Sequence, residues 1–173
     1  MGIRERARKI KMLVLDIDGV MTDGRIIYDS RGNDLKCFNV QDGLGLALLH
    51  QAGIKVTLIT AKASRTVLRR ARDIGAVEIK QNAIDKLPAF NQILKKHNLK
   101  YKDICFVGDD LIDLPLMRRV GLAVAVNNGC DEVKSAAHYV TRKEGGKGAV
   151  REVIEIILRA QDKWHKLVKK YLD

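Results

Sequence analysis

Aromatic residues make up only 5% of this 173-residue chain, and it contains just two prolines and three cysteines. A core built from such a sequence must be mostly aliphatic. Cys37, Cys105 and Cys130 show no CxxC or Cys/His spacing, which excludes the usual zinc patterns, and their odd number argues against a disulfide scaffold. A reducing cytoplasm is the expected compartment. The charged N-terminus is followed by an apolar stretch that Asp16 and Asp18 cut short, so neither a signal-peptide core nor a membrane span is expected. MGIRER also lacks the Ser/Thr of a myristoylation signal. Acids are outnumbered, Lys+Arg 32 against Asp+Glu 21, giving a net charge of +11. No aromatic-rich basic motif accompanies that charge, so it is read as solvated helix faces plus a field attractive to anions. Neither nucleic acid nor membrane is an expected partner.

What the chain does have is an ordinary globular composition, 46% hydrophobic and 31% charged, enough for one domain over residues 1–173. Strand and helix signals alternate. Met12–Leu15 reads as a buried strand. Arg25–Tyr28 and Leu35–Phe38 flank the turn residues 29–33 as a small hairpin inserted at about residues 24–40. Asp42 is expected to cap a helix running to Gln51, KVTLIT to be a strand, and residues 63–73 a basic helix. Strands at Val77–Lys80, DICFVGD, GLAVAV and HYV follow, with helices at 85–97, up to Arg119, and over CDEVKSAA. Val150, Val153, Ile154, Ile157, Trp164, Leu167 and Val168 make one helical stripe in a C-terminal segment of about 142–173. Part of that stripe exceeds one sheet face and is a candidate contact with another subunit. Alternating β and α units predict an α/β fold, a Rossmann-like doubly wound parallel sheet with no cap domain.

Such sheets place their chemistry at the carboxyl ends of the strands, where Asp16, Thr60 and Asp109 fall. Asp16 and Asp18 lie two apart, and Asp109, Asp110 and Asp113 close a second apolar strand. Crowded in one crevice these carboxylates repel, and a hard divalent cation that takes oxygen ligands, Mg²⁺, resolves the repulsion. With a phosphate added, one carboxylate can act as a nucleophile and a second as acid and base, while Thr60 and Lys86 hold phosphoryl oxygens. Phosphate monoesters resist hydrolysis so strongly that accelerations reach ~10²¹-fold, so the full set of groups is not excessive.

DIDGVMTDG from Asp16, Thr60 after KVTLI, Lys86, and GDDLID from Gly108 resemble the four motifs of the haloacid dehalogenase superfamily of phosphatases, across nearly the whole chain. FNVQDG, VGDDLIDLPLM, AVAVNN and HYVTRKEGGKGAVREV are similar to a capless branch of it that acts on octulosonate phosphates. The resemblance implies Asp16 as nucleophile, Asp18 as general acid/base, and Thr60 and Lys86 on the phosphoryl group. It implies Mg²⁺ held by the Asp16 carboxylate, the Asp18 carbonyl and Asp109, with Asp113 in support. Asn39, Val40, Gln41, Asp42, Gly43, Lys62, Arg70 and Asp110, together with Asp18 and Lys86, fall where that family contacts its small sugar-acid phosphate. Two positions depart from it: Ala61-Lys62 stands where Gly-Arg is common, and Ala47 where some relatives carry Arg. The resemblance also implies a homotetramer, with the hairpins packed together and the segment Gly145–Gly148 near a neighbouring site.

Taken singly, several of these residues have ordinary explanations. Thr60 alone is a turn residue, Lys86 a solvated helix lysine, and Arg70 part of a basic run. GLGLAL from Gly43 lacks the context of a dinucleotide fingerprint, and GGKGA lacks P-loop spacing. Three functions stay open on the residues alone: a sugar-acid phosphatase, a phosphatase of macromolecules, and a non-enzymatic phospho-acceptor domain. Asp18 separates the last, which has no need of an acid two residues beyond its phospho-acceptor.

Overall fold

Side chains along each core strand alternate between two apolar layers, which is what a sheet covered on both faces requires. The computed structural model describes residues 1–172. Its strands are β1 (Met12–Leu15), the short pair β2 (Ile27–Tyr28) and β3 (Asp34–Leu35), then β4 (Lys55–Ile59), β5 (Glu78–Lys80), β6 (Ile104–Gly108), β7 (Leu122–Ala125) and β8 (Tyr139–Val140). Six of them form a parallel sheet in the order β5-β4-β1-β6-β7-β8, and β2 and β3 make a separate antiparallel hairpin. Leu13, Leu15, Cys105, Val107, Leu122 and Val124 face one layer, covered by α1 (Ile3–Arg8), α2 (Val40–Gln51), α3 (Arg65–Asp73) and α7 (Ala149–Ala160). Met12, Val14, Ile104, Phe106, Ala123 and Ala125 face the other, beneath α4 (Lys86–His97), α5 (Leu114–Met117) and α6 (Asp131–Ala136). The chain winds outward from β1 to β5 and then returns to β6 on the other side of β1. That reversal opens a crevice between the carboxyl ends of β1 and β6.

The expected doubly wound sheet and hairpin are present, and several element ends differ for identifiable reasons. Helix α1 was not expected; it is short, and only Ala7 of it is buried. Asn39, not Asp42, caps α2, its side chain accepting the Gln41 and Asp42 amides. Asp42 instead lies buried in the first turn of α2, where its Oδ1 accepts the Arg151 N–H at 2.7 Å. It thereby caps α7, whose own N-cap, Gly148, has no side chain to offer. Ser64 caps α3, so that helix starts at Arg65 rather than 63. After β6 the chain takes a 3₁₀ turn over Leu111–Asp113 before α5, and α5 stops at Met117 rather than Arg119.

The apolar stripe at the C-terminus is not one helix. It breaks after Ala160, where Asp162 adopts a left-handed φ of 57°, and resumes as α8 (Trp164–Val168). Trp164 then lies under the guanidinium groups of Arg151 and Arg159, 5.1 and 4.8 Å from its ring. Leu167 and Val168 pack, partly buried, against the same apolar layer. No helix among the described residues is long and apolar enough to cross a membrane.

The hairpin is inverted relative to an ordinary surface strand. Asp34, Lys36 and Phe38 are half-buried against the body, whereas Ile26, Tyr28 and Leu35 are 63, 65 and 49% exposed. If the Asp42 carboxylate carries the start of α7, Asp42→Ala is expected to cost about 1–3 kcal/mol, because a buried amide loses its acceptor. Urea denaturation measures this; an unchanged midpoint would show that the contact carries no weight.

Candidate active site

β1 carries the chain to Asp16, whose amide continues the ladder by donating to the Val107 carbonyl at 3.1 Å. The chain then folds back tightly, the Ile17 carbonyl accepting the amides of Val20, Met21 and Thr22. Gly19 has a φ of 91°, and a Cβ there would stand 2.0 Å from Asp109 Oδ2. Only glycine lets the ends of β1 and β6 come this close. Beyond Gly108, the amides of Asp109 and Asp110 donate to Asp113 Oδ2 at 2.9 and 3.3 Å. A Cβ on Gly108 would meet that same oxygen at 2.5 Å. Thr60, buried at the end of β4, is fixed by its backbone N–H donating to the Lys80 carbonyl at 2.9 Å. Asp85 caps α4 and so seats Lys86, whose ammonium lies 2.7 Å from Asp16 Oδ1 and 2.5 Å from Asp113 Oδ1.

The electrostatics of this cluster are unbalanced. Oxygens of Asp16, Asp109 and Asp113 lie within 4.8 Å of one another, with the Lys86 ammonium as the cation held among them. Burial raises Asp16 to about 6; the Lys86 ammonium opposes that rise and the Asp113 carboxylate adds to it. Burial, followed by the Asp16 and Asp113 charges, pushes Asp109 to about 8. Burial works to lower Lys86, but the two facing carboxylates outweigh it and hold the ammonium above its ordinary value. Asp109 Oδ1 is buried without a hydrogen-bond partner among the described residues. An orphaned carboxylate oxygen beside a second carboxylate, with only oxygen donors in reach, fits a hard divalent cation such as Mg²⁺. Asp113 is the least free of the three to ligate, since Lys86 and two amides already occupy its oxygens.

A cavity of about 270 Å³ opens over this cluster, lined by Asp16, Asp18, Thr60, Lys62, Asp109 and Asp110 among others. A larger one, about 730 Å³, lies at the opposite end of the sheet beside Lys11, Lys55, Lys102 and Lys163. The smaller cavity is the one that holds the acid cluster, and chemistry rather than size marks the site. Lys86 and Asp113 do not line it; they lie buried beneath, joined to it through the Lys86 contact with Asp16. Asn39, Val40, Gln41, Asp42, Gly43 and Arg70 do not line it. Asn39 and Gln41 instead meet the Gly145–Gly148 segment, Asn39 Nδ2 donating to the Gly146 carbonyl at 3.3 Å, and Arg70 lies against Gly43. Val40 is 85% exposed, and the Arg70 guanidinium lies over the Phe38 ring at 5.2 Å. One residue that the sequence analysis does not single out touches a residue of the cavity lining: Lys36, whose ammonium is 2.5 Å from Asp18 Oδ1. Its signal in the sequence is weak, a lysine within the otherwise apolar run Leu35–Phe38.

The raised carboxylates carry a stability consequence. A carboxyl held above its unfolded value of 3.8 binds protons more tightly when folded, so its favourable contribution is lost as pH rises through the folded-state value. Metal-free protein is therefore expected to lose thermal stability as pH climbs through about 6 and then about 8. Mg²⁺ should restore stability increasingly over that interval, because it competes with those protons. Calorimetry with EDTA or MgCl₂ reads this directly; a magnesium effect that shrinks as pH rises would contradict the electrostatic account.

The haloacid dehalogenase-like hydrolase family model matches residues 70–154. The 3-deoxy-D-manno-octulosonate 8-phosphate phosphatase of Yersinia pestis is 43% identical over 159 residues, spanning 92% of this chain and 85% of that protein. The crystal structure of a probable phosphatase from Pseudomonas syringae superposes with a TM-score of 0.97 at 39% identity, covering 99% of this chain and 97% of that one. The Moraxella catarrhalis 3-deoxy-D-manno-octulosonate 8-phosphate phosphatase, solved with magnesium, phosphate and the sugar acid, gives 0.96 at 42% identity, with 98% and 97% covered. Strand ends, acid cluster and relatives agree: the chain belongs to the 3-deoxy-D-manno-octulosonate 8-phosphate phosphatase family of haloacid dehalogenase-like hydrolases.

Proposed function

We propose that this protein hydrolyses 3-deoxy-D-manno-octulosonate 8-phosphate to the free sugar acid and phosphate, in lipopolysaccharide precursor synthesis in the cytoplasm. The observation that carries the reading is the buried Asp109 oxygen, without a hydrogen-bond partner among the described residues, beside Asp16 at the β1/β6 crevice, in a chain whose relatives perform this reaction. Magnesium, held by the Asp16 carboxylate, the Asp18 carbonyl and Asp109, would neutralise the acid cluster and the phosphoryl oxygens drawn to it.

The chain's own groups divide the rest of the work. An Asp16 oxygen attacks phosphorus, the bond to the sugar oxygen breaks, and the departing oxygen takes a proton from the Asp18 carboxyl. Lys86 favours ionised Asp16, which burial otherwise pushes toward the neutral acid. The Asp18 carboxylate then takes a proton from water, whose oxygen attacks the aspartyl phosphate and releases phosphate from Asp16. Thr60 and Lys86 hold phosphoryl oxygens as charge moves. Lys62 and Asp110, at the cavity wall, contact the sugar acid. Asn39–Gly43 and Arg70, away from the cavity of their own chain, contact substrate across an interface in a homotetramer. The outward apolar face of the hairpin supports that assembly, since Ile26, Tyr28 and Leu35 would be covered in it.

Phosphate release from a panel of sugar-acid phosphates tests the substrate; turnover of the octulosonate phosphate no better than of generic esters would overturn the assignment. Asp16→Asn is expected to abolish both turnover and phosphoryl-enzyme formation. Asp18→Asn is expected to lower turnover by about 10²–10⁴-fold, the usual scale of general acid–base catalysis. It should keep its magnesium affinity, because the proposed ligand is a backbone carbonyl. Light scattering tests the assembly, and a fully active monomer would rule out the homotetramer.

A further inference from the structure

Lys36 has no assigned task, yet it is held too firmly to be a solvated lysine. Its side chain is only 10% exposed although it sits on an insertion whose neighbouring side chains face water. Besides its 2.5 Å contact with Asp18 Oδ1, its ammonium lies 3.8 Å from Asp34 Oδ2. Asp34 is itself anchored. Its Oδ2 accepts the Ser64 hydroxyl at 2.8 Å, and Ser64 in turn caps α3. Thr66 Oγ1 donates to the Asp34 carbonyl at 3.5 Å. The hairpin strand β3 is thus tied to the N-terminus of α3, and Lys36 reaches from it to the active-site turn.

We propose that Lys36 is a positioning residue that orients the Asp18 carboxyl for proton transfer. By occupying Oδ1 it leaves Oδ2, which has no hydrogen-bond partner among the described residues, as the free oxygen of a carboxyl that lines the cavity. The proton passes from Asp18 Oδ2 to the sugar oxygen as its bond to phosphorus breaks, and Oδ2 takes a proton back from the attacking water. Lys36 takes no part in the proton transfer itself. A hydrogen bond from an insertion thereby makes the hairpin part of the catalytic apparatus rather than only a cover or contact surface. The inference rests on the reading of Asp18 as the acid.

Two substrates of nearly equal shape separate this role from a structural one. Phenyl phosphate and p-nitrophenyl phosphate both carry an aryl ring, but only the first has a leaving group that depends strongly on protonation. The quantity to compare is the ratio of their kcat/KM values in wild type, Lys36→Met, Lys36→Arg and Asp18→Asn, with circular dichroism and magnesium affinity confirming intact folds. Asp18→Asn and Lys36→Met are both expected to lose about 10-fold or more extra on phenyl phosphate, and Lys36→Arg to restore most of that loss. Should Lys36→Met fail to fold, Lys36→Gln is read in its place. If the Lys36 variant slows both substrates equally while Asp18→Asn discriminates, the positioning role is wrong and the mechanism stands. If Asp18→Asn does not discriminate either, the assignment of Asp18 as acid falls, and the role of Lys36 with it.

Discussion

The repulsion among Asp16, Asp109 and Asp113 is the constraint around which the carboxyl edge of this sheet is arranged. Two buried carboxylates and a half-buried third beside one ammonium would destabilise the folded chain if nothing else entered the crevice. The scaffold nonetheless brings them together on purpose-built backbone. Gly19 and Gly108 remove the side chains that would hold Asp109 and Asp113 away, and the Asp109 and Asp110 amides clamp Asp113. Lys86 comes from the far layer of helices to sit between two of the acids. The site is therefore strained electrostatically while its geometry is well supported, which suits a protein that gains a divalent cation and a dianionic group together.

Much of this was legible in the residues because strand ends announce themselves. Apolar runs that end at Asp16, Thr60 and Asp109 place those three on one rim without any coordinates, and the resemblance adds Lys86. The six core strands and the hairpin followed from the same alternation. What escaped was whatever depends on contacts between segments distant in sequence. Asp42 resembles an N-cap because it precedes a helical run; that Asn39 takes that position and Asp42 serves α7 depends on a packing that periodicity does not encode. The break at Asp162 is similar, since nothing in the apolar stripe marks a residue with positive φ. Lys36 was missed because a lone lysine in a short strand is usually solvated.

The residues of the resemblance sort into two places. Those that would handle the phosphoryl group gather at and beneath one cavity, whereas Asn39 and Gln41 meet the glycine segment and Arg70 lies against Gly43. Chemistry is thus assembled by the sheet itself, and recognition of the rest of the substrate falls to peripheral loops. Of the departures from the family pattern, Lys62 lines the cavity and Ala47 does not, and neither is among the groups assigned to the phosphoryl oxygens.

The carboxylate of Asp42 joins two helices whose contacting residues are 109 positions apart in the chain. The first turn of α7 therefore has no acceptor of its own and waits for one that belongs to a helix made much earlier. Closing a loop of that length costs entropy before the contact is formed, so the cap on α7 is available only once the two ends of the chain have come together. A fold that looks like successive independent β-α units is, at this point, fastened from end to end by one side chain.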